Sequence, residues 1–168
     1  PPGKPYRYGV RLPVDLSPHN NGVWETLSDG TRVWKLIISS QFAYAMNLSF
    51  DSFYLPEGSK LFIYNPDFSM IYGAYTELNN NSEEVFASPL LKGDKLIIEY
   101  SEPVDVSEEF KLHIEYVVHD YKDILNYYNE RNSNRTCGTN VVCSEADPYE
   151  DQINAVSWLD MGGYICTG

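Results

Sequence analysis

Val23-Trp24-Glu25-Thr26-Leu27-Ser28-Asp29-Gly30-Thr31-Arg32-Val33-Trp34-Lys35-Leu36-Ile37-Ile38 decides the fold class. Two runs rich in aromatic and β-branched side chains flank Asp29-Gly30. That dipeptide suits the positive backbone angles of a tight turn, so the stretch predicts a β-hairpin. The same grammar recurs downstream. Ala45-Met46-Asn47-Leu48-Ser49-Phe50 alternates apolar and polar residues with period two, as a half-buried strand does. Leu55-Pro56-Glu57-Gly58 and Asn65-Pro66-Asp67 are turn sequences on either side of Lys60-Leu61-Phe62-Ile63-Tyr64. Met70–Tyr75 follows as the partner of that strand, and Val85–Ser88 as a short one. Leu78–Glu83 reads as a polar surface loop. Lys92-Gly93-Asp94 turns the chain into Lys95–Tyr100, Pro103 ends that strand, and Phe110–Val117 alternates again.

About eight short strands separated by turn signals predict an all-β fold, an antiparallel β-sandwich of jelly-roll type over residues 22–126. A closed barrel is the alternative. Fourteen Tyr, seven Phe and three Trp fit pleated, half-buried surfaces. Residues 1–21, rich in Pro, Gly and polar side chains, read as an extended N-terminal arm. Trp24 and Trp34 fall within predicted strands and read as core rather than as sugar-stacking platforms.

The formal net charge of −12 argues against a nucleic-acid partner, which needs a basic footprint, and against an anionic membrane surface. No apolar run approaches the length of a membrane span. No signal peptide is visible; with Pro1-Pro2-Gly3 at the start, the expectation is a chain whose export signal has been removed.

After Val118 the character changes. Ile124–Tyr128 suggests a helical turn, and residues 127–136 read as a linker, Asn129–Thr136 carrying almost no apolar side chain. Arg131 and Arg135 are expected to be exposed there, in the kind of segment that proteases cut. Cys137 and Cys143 lack the paired spacing of a structural zinc site, and His113 and His119 do not supply it, so no metal or other cofactor is expected. No Gly-x-Ser-x-Gly elbow occurs, and Cys166 has no His motif beside it. Asp51, Asp67, Glu83, Glu84 and Asp94 lie near turns without calcium-loop spacing and read as a solvated acidic rim. Three cysteines allow at most one internal pair; they are free buried thiols, or their partners lie outside these residues.

The tail carries a resemblance. Cys137-Gly-Thr-Asn-Val-Val-Cys143, the acidic Ser144-Glu145-Ala146-Asp147, Asp151-Gln152-Ile153-Asn154-Ala155-Val156 and Tyr164-Ile165-Cys166-Thr167-Gly168 resemble the start of the mature domain in the lysyl endopeptidase family. These are secreted bacterial serine proteases of trypsin-like fold. The match covers about the last fifth of the chain. Gly22-Val23-Trp24, Gly30–Leu36, Leu55–Tyr64 and Lys92–Glu99 resemble, in order and spacing, β-sandwich prosegments ahead of such proteases.

The resemblance implies a β-sandwich prodomain (22–126), a linker with a processing site at Arg131 or Arg135 (127–136), and the incomplete start of a trypsin-like double β-barrel (137–168). The family's catalytic His, Asp and Ser fall beyond Gly168, so no catalytic residue is assigned and the chain alone is expected to be inert. Cys137, Cys143 and Cys166 become half-cystines with partners beyond Gly168, that of Cys166 just after the catalytic His. The implied partners are the cognate protease domain in cis and the protein substrates of the full-length enzyme, and the implied location is secreted or at the cell surface. Two rival readings stand beside it: a non-catalytic β-sandwich that binds glycan or protein, and an enzyme working through His113 or His119.

Overall fold

The computed structural model describes residues 5–106, 108–126 and 158–167, with backbone alone at Trp158, Cys166 and Thr167. The described residues form an all-β, antiparallel fold of three sheets. The first sheet orders β3 (Val23–Thr26), β4 (Arg32–Ser39), β10 (Lys95–Glu102), β6 (Lys60–Tyr64) and β7 (Ile71–Tyr75). The second orders β2 (Gly9–Leu16), β11 (Lys111–Asp120), β5 (Ala45–Tyr54) and β8 (Phe86–Ala87), with β9 (Leu91–Lys92) also on β5. The third is small: β1 (Tyr6–Arg7), β13 (Tyr164–Thr167) and β12 (Trp158–Asp160).

The Asp29-Gly30 hairpin forms as expected. Trp24 lies opposite Trp34 and Thr26 opposite Arg32. Leu27 N–H donates to Thr31 O at 2.8 Å and Gly30 N–H to Leu27 O at 3.0 Å, closing the loop. β6 and β7 pair as expected, and β10 stops at Glu102, before Pro103 removes a backbone donor. Within the expected arm, Gly9–Leu16 form β2, paired along β11. Pro13 is tolerated there because β2 is an edge strand, where a missing N–H costs no ladder bond.

Alternation builds the core. Leu96, Ile98 and Tyr100 of β10 are buried, and with Trp34, Leu61 and Ile63 they line one face of the first sheet. Met46, Leu48, Phe50, Phe53, Leu112, Ile114 and Val117 of the second sheet join the same cluster. Each such side chain contributes about 1.5–3 kcal/mol on leaving water. Polar tips within this core find partners. Trp34 Nε1 donates to Asn21 O at 2.8 Å, and Tyr100 Oη donates to Glu102 at 2.9 Å. Burial, then the Glu102 charge, pushes the Tyr100 phenol pKa upward.

The expected polar loop at Leu78–Glu83 does structural work. Asn80 reaches across to Leu55: its Oδ1 accepts from Leu55 N–H at 2.9 Å and its Nδ2 donates to Leu55 O at 2.8 Å. One side chain thereby replaces the ladder partner that a buried backbone needs.

β5 is buried on both faces over Ala45–Leu48. Met46 and Leu48 enter the large core, whereas Ala45 belongs to a second cluster with Tyr8, Leu90, Val118, Ile124 and Ile165. Ile124 reaches it through a cap. The buried Asp120 carboxylate accepts from Lys122 N–H at 2.7 Å and Ile124 N–H at 2.9 Å, and residues 124–126 are helical. Burial pushes the Asp120 carboxyl pKa upward, and these N–H bonds oppose it.

Candidate functional site

The second cluster marks where the C-terminal segment meets the rest of the molecule. β12 and β13 form an antiparallel hairpin, Asp160 opposite Ile165 and Leu159 opposite Cys166. They join neither five-stranded sheet. Instead, β13 takes β1 on its other edge, Tyr6 opposite Ile165 and Arg7 opposite Tyr164. Ile165, 5% exposed, fills the second cluster.

Asp160 is the polar centre. Tyr8 Oη lies 2.8 Å from each of its carboxylate oxygens, Asn47 Nδ2 donates to Oδ2 at 2.9 Å, and Gly162 N–H donates to Oδ1 at 2.9 Å. Tyr8 is fully buried; that burial, then the Asp160 charge, pushes its phenol pKa far upward and keeps it a donor. Arg11 holds the hairpin turn from outside. Its Nε donates to Gly162 O at 2.9 Å and its Nη2 to Met161 O at 2.7 Å, while its guanidinium sits 4.8 Å from the Tyr116 ring centroid. Gly163 O accepts from Tyr8 N–H at 2.9 Å and Gly9 N–H at 3.0 Å.

The approach is close enough to require glycine. Gly163 has φ +97°, and a Cβ there would lie 2.9 Å from Gly9 O. Any side chain would meet backbone and occupy a disfavoured conformation.

A cleft of about 620 Å³ opens beside this contact, walled by Asn47, Tyr72, Leu90, Tyr116, Leu125 and Met161. Asn47 is buried, and its Oδ1 has no protein hydrogen-bond partner. A buried acceptor without a donor costs about 1–3 kcal/mol.

Of the residues singled out by sequence, Arg131, Arg135, Cys137 and Cys143 lie outside the described residues. Cys166 stands in β13, with its side chain also outside them. Trp34 is core, while Trp24 is half-buried, with Nε1 donating to Pro18 O at 3.1 Å. The two candidate histidines are apart in role. His113 hydrogen-bonds Asp51 through Nδ1 and lies 3.0 Å from Asp15 Oδ1 through Nε2. His119 Nδ1 lies 2.7 Å from Ser40 Oγ. Neither lines the cleft. Among the acidic turn residues, Asp51 pairs with His113, Glu84 with Lys111, and Asp67 accepts from Ser69. Among the described residues no three His, Cys, Asp or Glu side chains converge as metal ligands.

Tyr8, Arg11, Asn47 and Asp160 were not singled out by sequence. Their partners are far apart in the chain, and the only local signal was the Gly162-Gly163 doublet. No protein-family model matches this sequence, and no solved structure gives a significant match to it.

Proposed function

We propose that this chain is the prodomain region of a secreted trypsin-like serine endopeptidase precursor of the lysyl endopeptidase type, followed by the opening of its protease domain. In this reading the two five-stranded sheets are a jelly-roll-like β-sandwich. Their apolar faces feeding one cluster supports it. The β12–β13 hairpin is the first strand pair of the protease barrel.

The observation that carries the reading is the separateness of that hairpin. It belongs to neither five-stranded sheet, yet it is held on the surface of one of them through Asp160, Tyr8 and Arg11. A unit joined by a linker and docked through a few specific contacts suits a domain that folds against its partner before processing. While the linker is intact, the prodomain sees its partner at high effective concentration, which favours assisted folding and masking. Cutting at Arg131 or Arg135 removes that advantage.

Amino-terminal sequencing of the mature protein tests this. The expected new terminus falls at or shortly after Arg131 or Arg135, and peptide hydrolysis belongs to the processed full-length enzyme. A terminus inside β2–β11 would overturn the reading.

The cleft favours a second reading, a glycan-binding module. Asn47 and the Tyr72 and Tyr116 rings are the kinds of group that bond sugar hydroxyls and stack on sugar faces. Glycan-array binding by the whole chain, lost in Tyr116→Ala, would support it.

A further inference from the structure

We infer that the outer face of the β2–β11–β5 sheet is a docking surface that holds the β12–β13 hairpin without help from the covalent chain, with Asp160 as its anchor. Processing would then yield a non-covalent complex, and linker cleavage alone would not release the protease domain. The inference rests on the proposed function only in taking a cut between the two parts as a natural event.

Three kinds of contact carry it. The first is backbone pairing: β1 lies on the edge of β13, and Gly163 O accepts from Tyr8 and Gly9 N–H. This is strand addition, in which main-chain bonds supply affinity whatever the side chains. The second is apolar. Ile165 is nearly as buried as the large core and sits among Tyr8, Ala45, Leu90, Val118 and Ile124. The third gives specificity. Asp160 takes donors from Tyr8 and Asn47, and Arg11 takes the Met161 and Gly162 carbonyls. Charge-assisted bonds of this type are the stronger class. Part of the body's share is preformed: Asn47 stands in β5, and Tyr8 O accepts from Tyr121 N–H at 3.2 Å, whereas β1 takes its strand pairing from β13 itself.

The cysteines make the test clean. All three lie at or after position 137, so no disulfide can join the pieces once the chain is cut between Arg131 and Thr136.

The experiment replaces residues 131–136 of the full chain with a site for a sequence-specific protease. After complete cleavage, the pieces are run on size exclusion at micromolar concentration. The C-terminal piece should co-elute with the body. Asp160→Ala and Arg11→Ala should each weaken retention about tenfold or more, as expected for losing charge-assisted hydrogen bonds. Near-UV circular dichroism should report a folded body in every case. Separation of the wild-type pieces, equal retention in both variants, or loss of the body's near-UV signal on cutting would overturn the inference. Failure here leaves the position of the natural amino terminus untouched, whereas an unexpected natural terminus would overturn the proposed function and leave this contact standing.

Discussion

Tyr8 Oη lies 2.8 Å from both carboxylate oxygens of Asp160, although the two residues stand 152 positions apart. One hydroxyl proton is shared between two acceptors where the buried Tyr8 meets Asp160, itself exposed, at the edge of the apolar cluster. The pair links the first strands of the chain to its last hairpin.

Tyr8→Phe keeps the ring and removes that donor. We expect a loss of about 1–2 kcal/mol in urea denaturation, the usual cost of a hydrogen bond to a partly solvated charge. On the Asp160→Ala background Tyr8→Phe should cost little more, because its bond is already gone, whereas Asp160→Ala on the Tyr8→Phe background still removes the bonds from Asn47 and Gly162. Additive costs would show that the two residues act separately.

His113 joins three strands: it lies on β11, Asp51 on β5 and Asp15 on β2. The hydrogen bond to Asp51, with a further one to Asp15, raises its pKa above the ordinary value against some desolvation. The folded state therefore holds the proton more tightly than the unfolded chain, whose imidazole titrates near 6.5. This stabilisation is complete below about pH 6.5 and is lost as pH rises through the raised folded value. The Tm gap between wild type and His113→Gln should be widest at mildly acidic pH and close towards alkaline pH. A gap independent of pH would reject the imidazolium as its source.

Asn80→Ala should cost about 1–3 kcal/mol, since it strands the N–H and C=O of the fully buried Leu55. Asn80→Asp keeps the acceptor for Leu55 N–H but sets a carboxylate oxygen against Leu55 O where the amide donated, so it should cost at least as much as alanine. Chemical denaturation midpoints of the three proteins would rank them; an alanine variant equal to wild type would show that water replaces the amide.

Gly22→Ala should destabilise more than a loop substitution ordinarily does. Gly22 has φ +80°, and a Cβ there would lie 2.3 Å from Trp34 Nε1 and 2.6 Å from Lys35 O. The backbone conformation alone costs about 1–3 kcal/mol for a residue with a side chain. Trp34 is core and cannot swing aside without losing its bond to Asn21 O. Trp fluorescence should shift with the fall in stability, and an unchanged spectrum with unchanged stability would count against this account.

Sequence alone carried the fold class. The period-two alternation in Lys95–Tyr100 shows which side chains face inward, and Asp29-Gly30 states where the chain reverses. Both are local signals, because pleating and turn geometry depend on neighbouring residues. β2 was harder to read, since Pro13 interrupts its pattern and only its edge position makes that harmless. The Leu78–Glu83 loop read as solvent-facing because nothing local distinguishes Asn80, which bonds Leu55, from Asn81 beside it.

The contact between Asp160 and the pair Tyr8 and Asn47 belongs to tertiary structure alone. A carboxylate between Leu159 and Met161 reads in sequence as an ordinary turn residue. It becomes an anchor only because sheet packing brings a buried phenol and a buried amide to the same point. The sequence determined that residues 22–120 would make strands and where most of them turn, since those preferences are set by residues next to one another. Which sheet face the last hairpin covers was decided by the fold, because that choice depends on hydrogen-bond partners and apolar surface drawn from both ends of the chain.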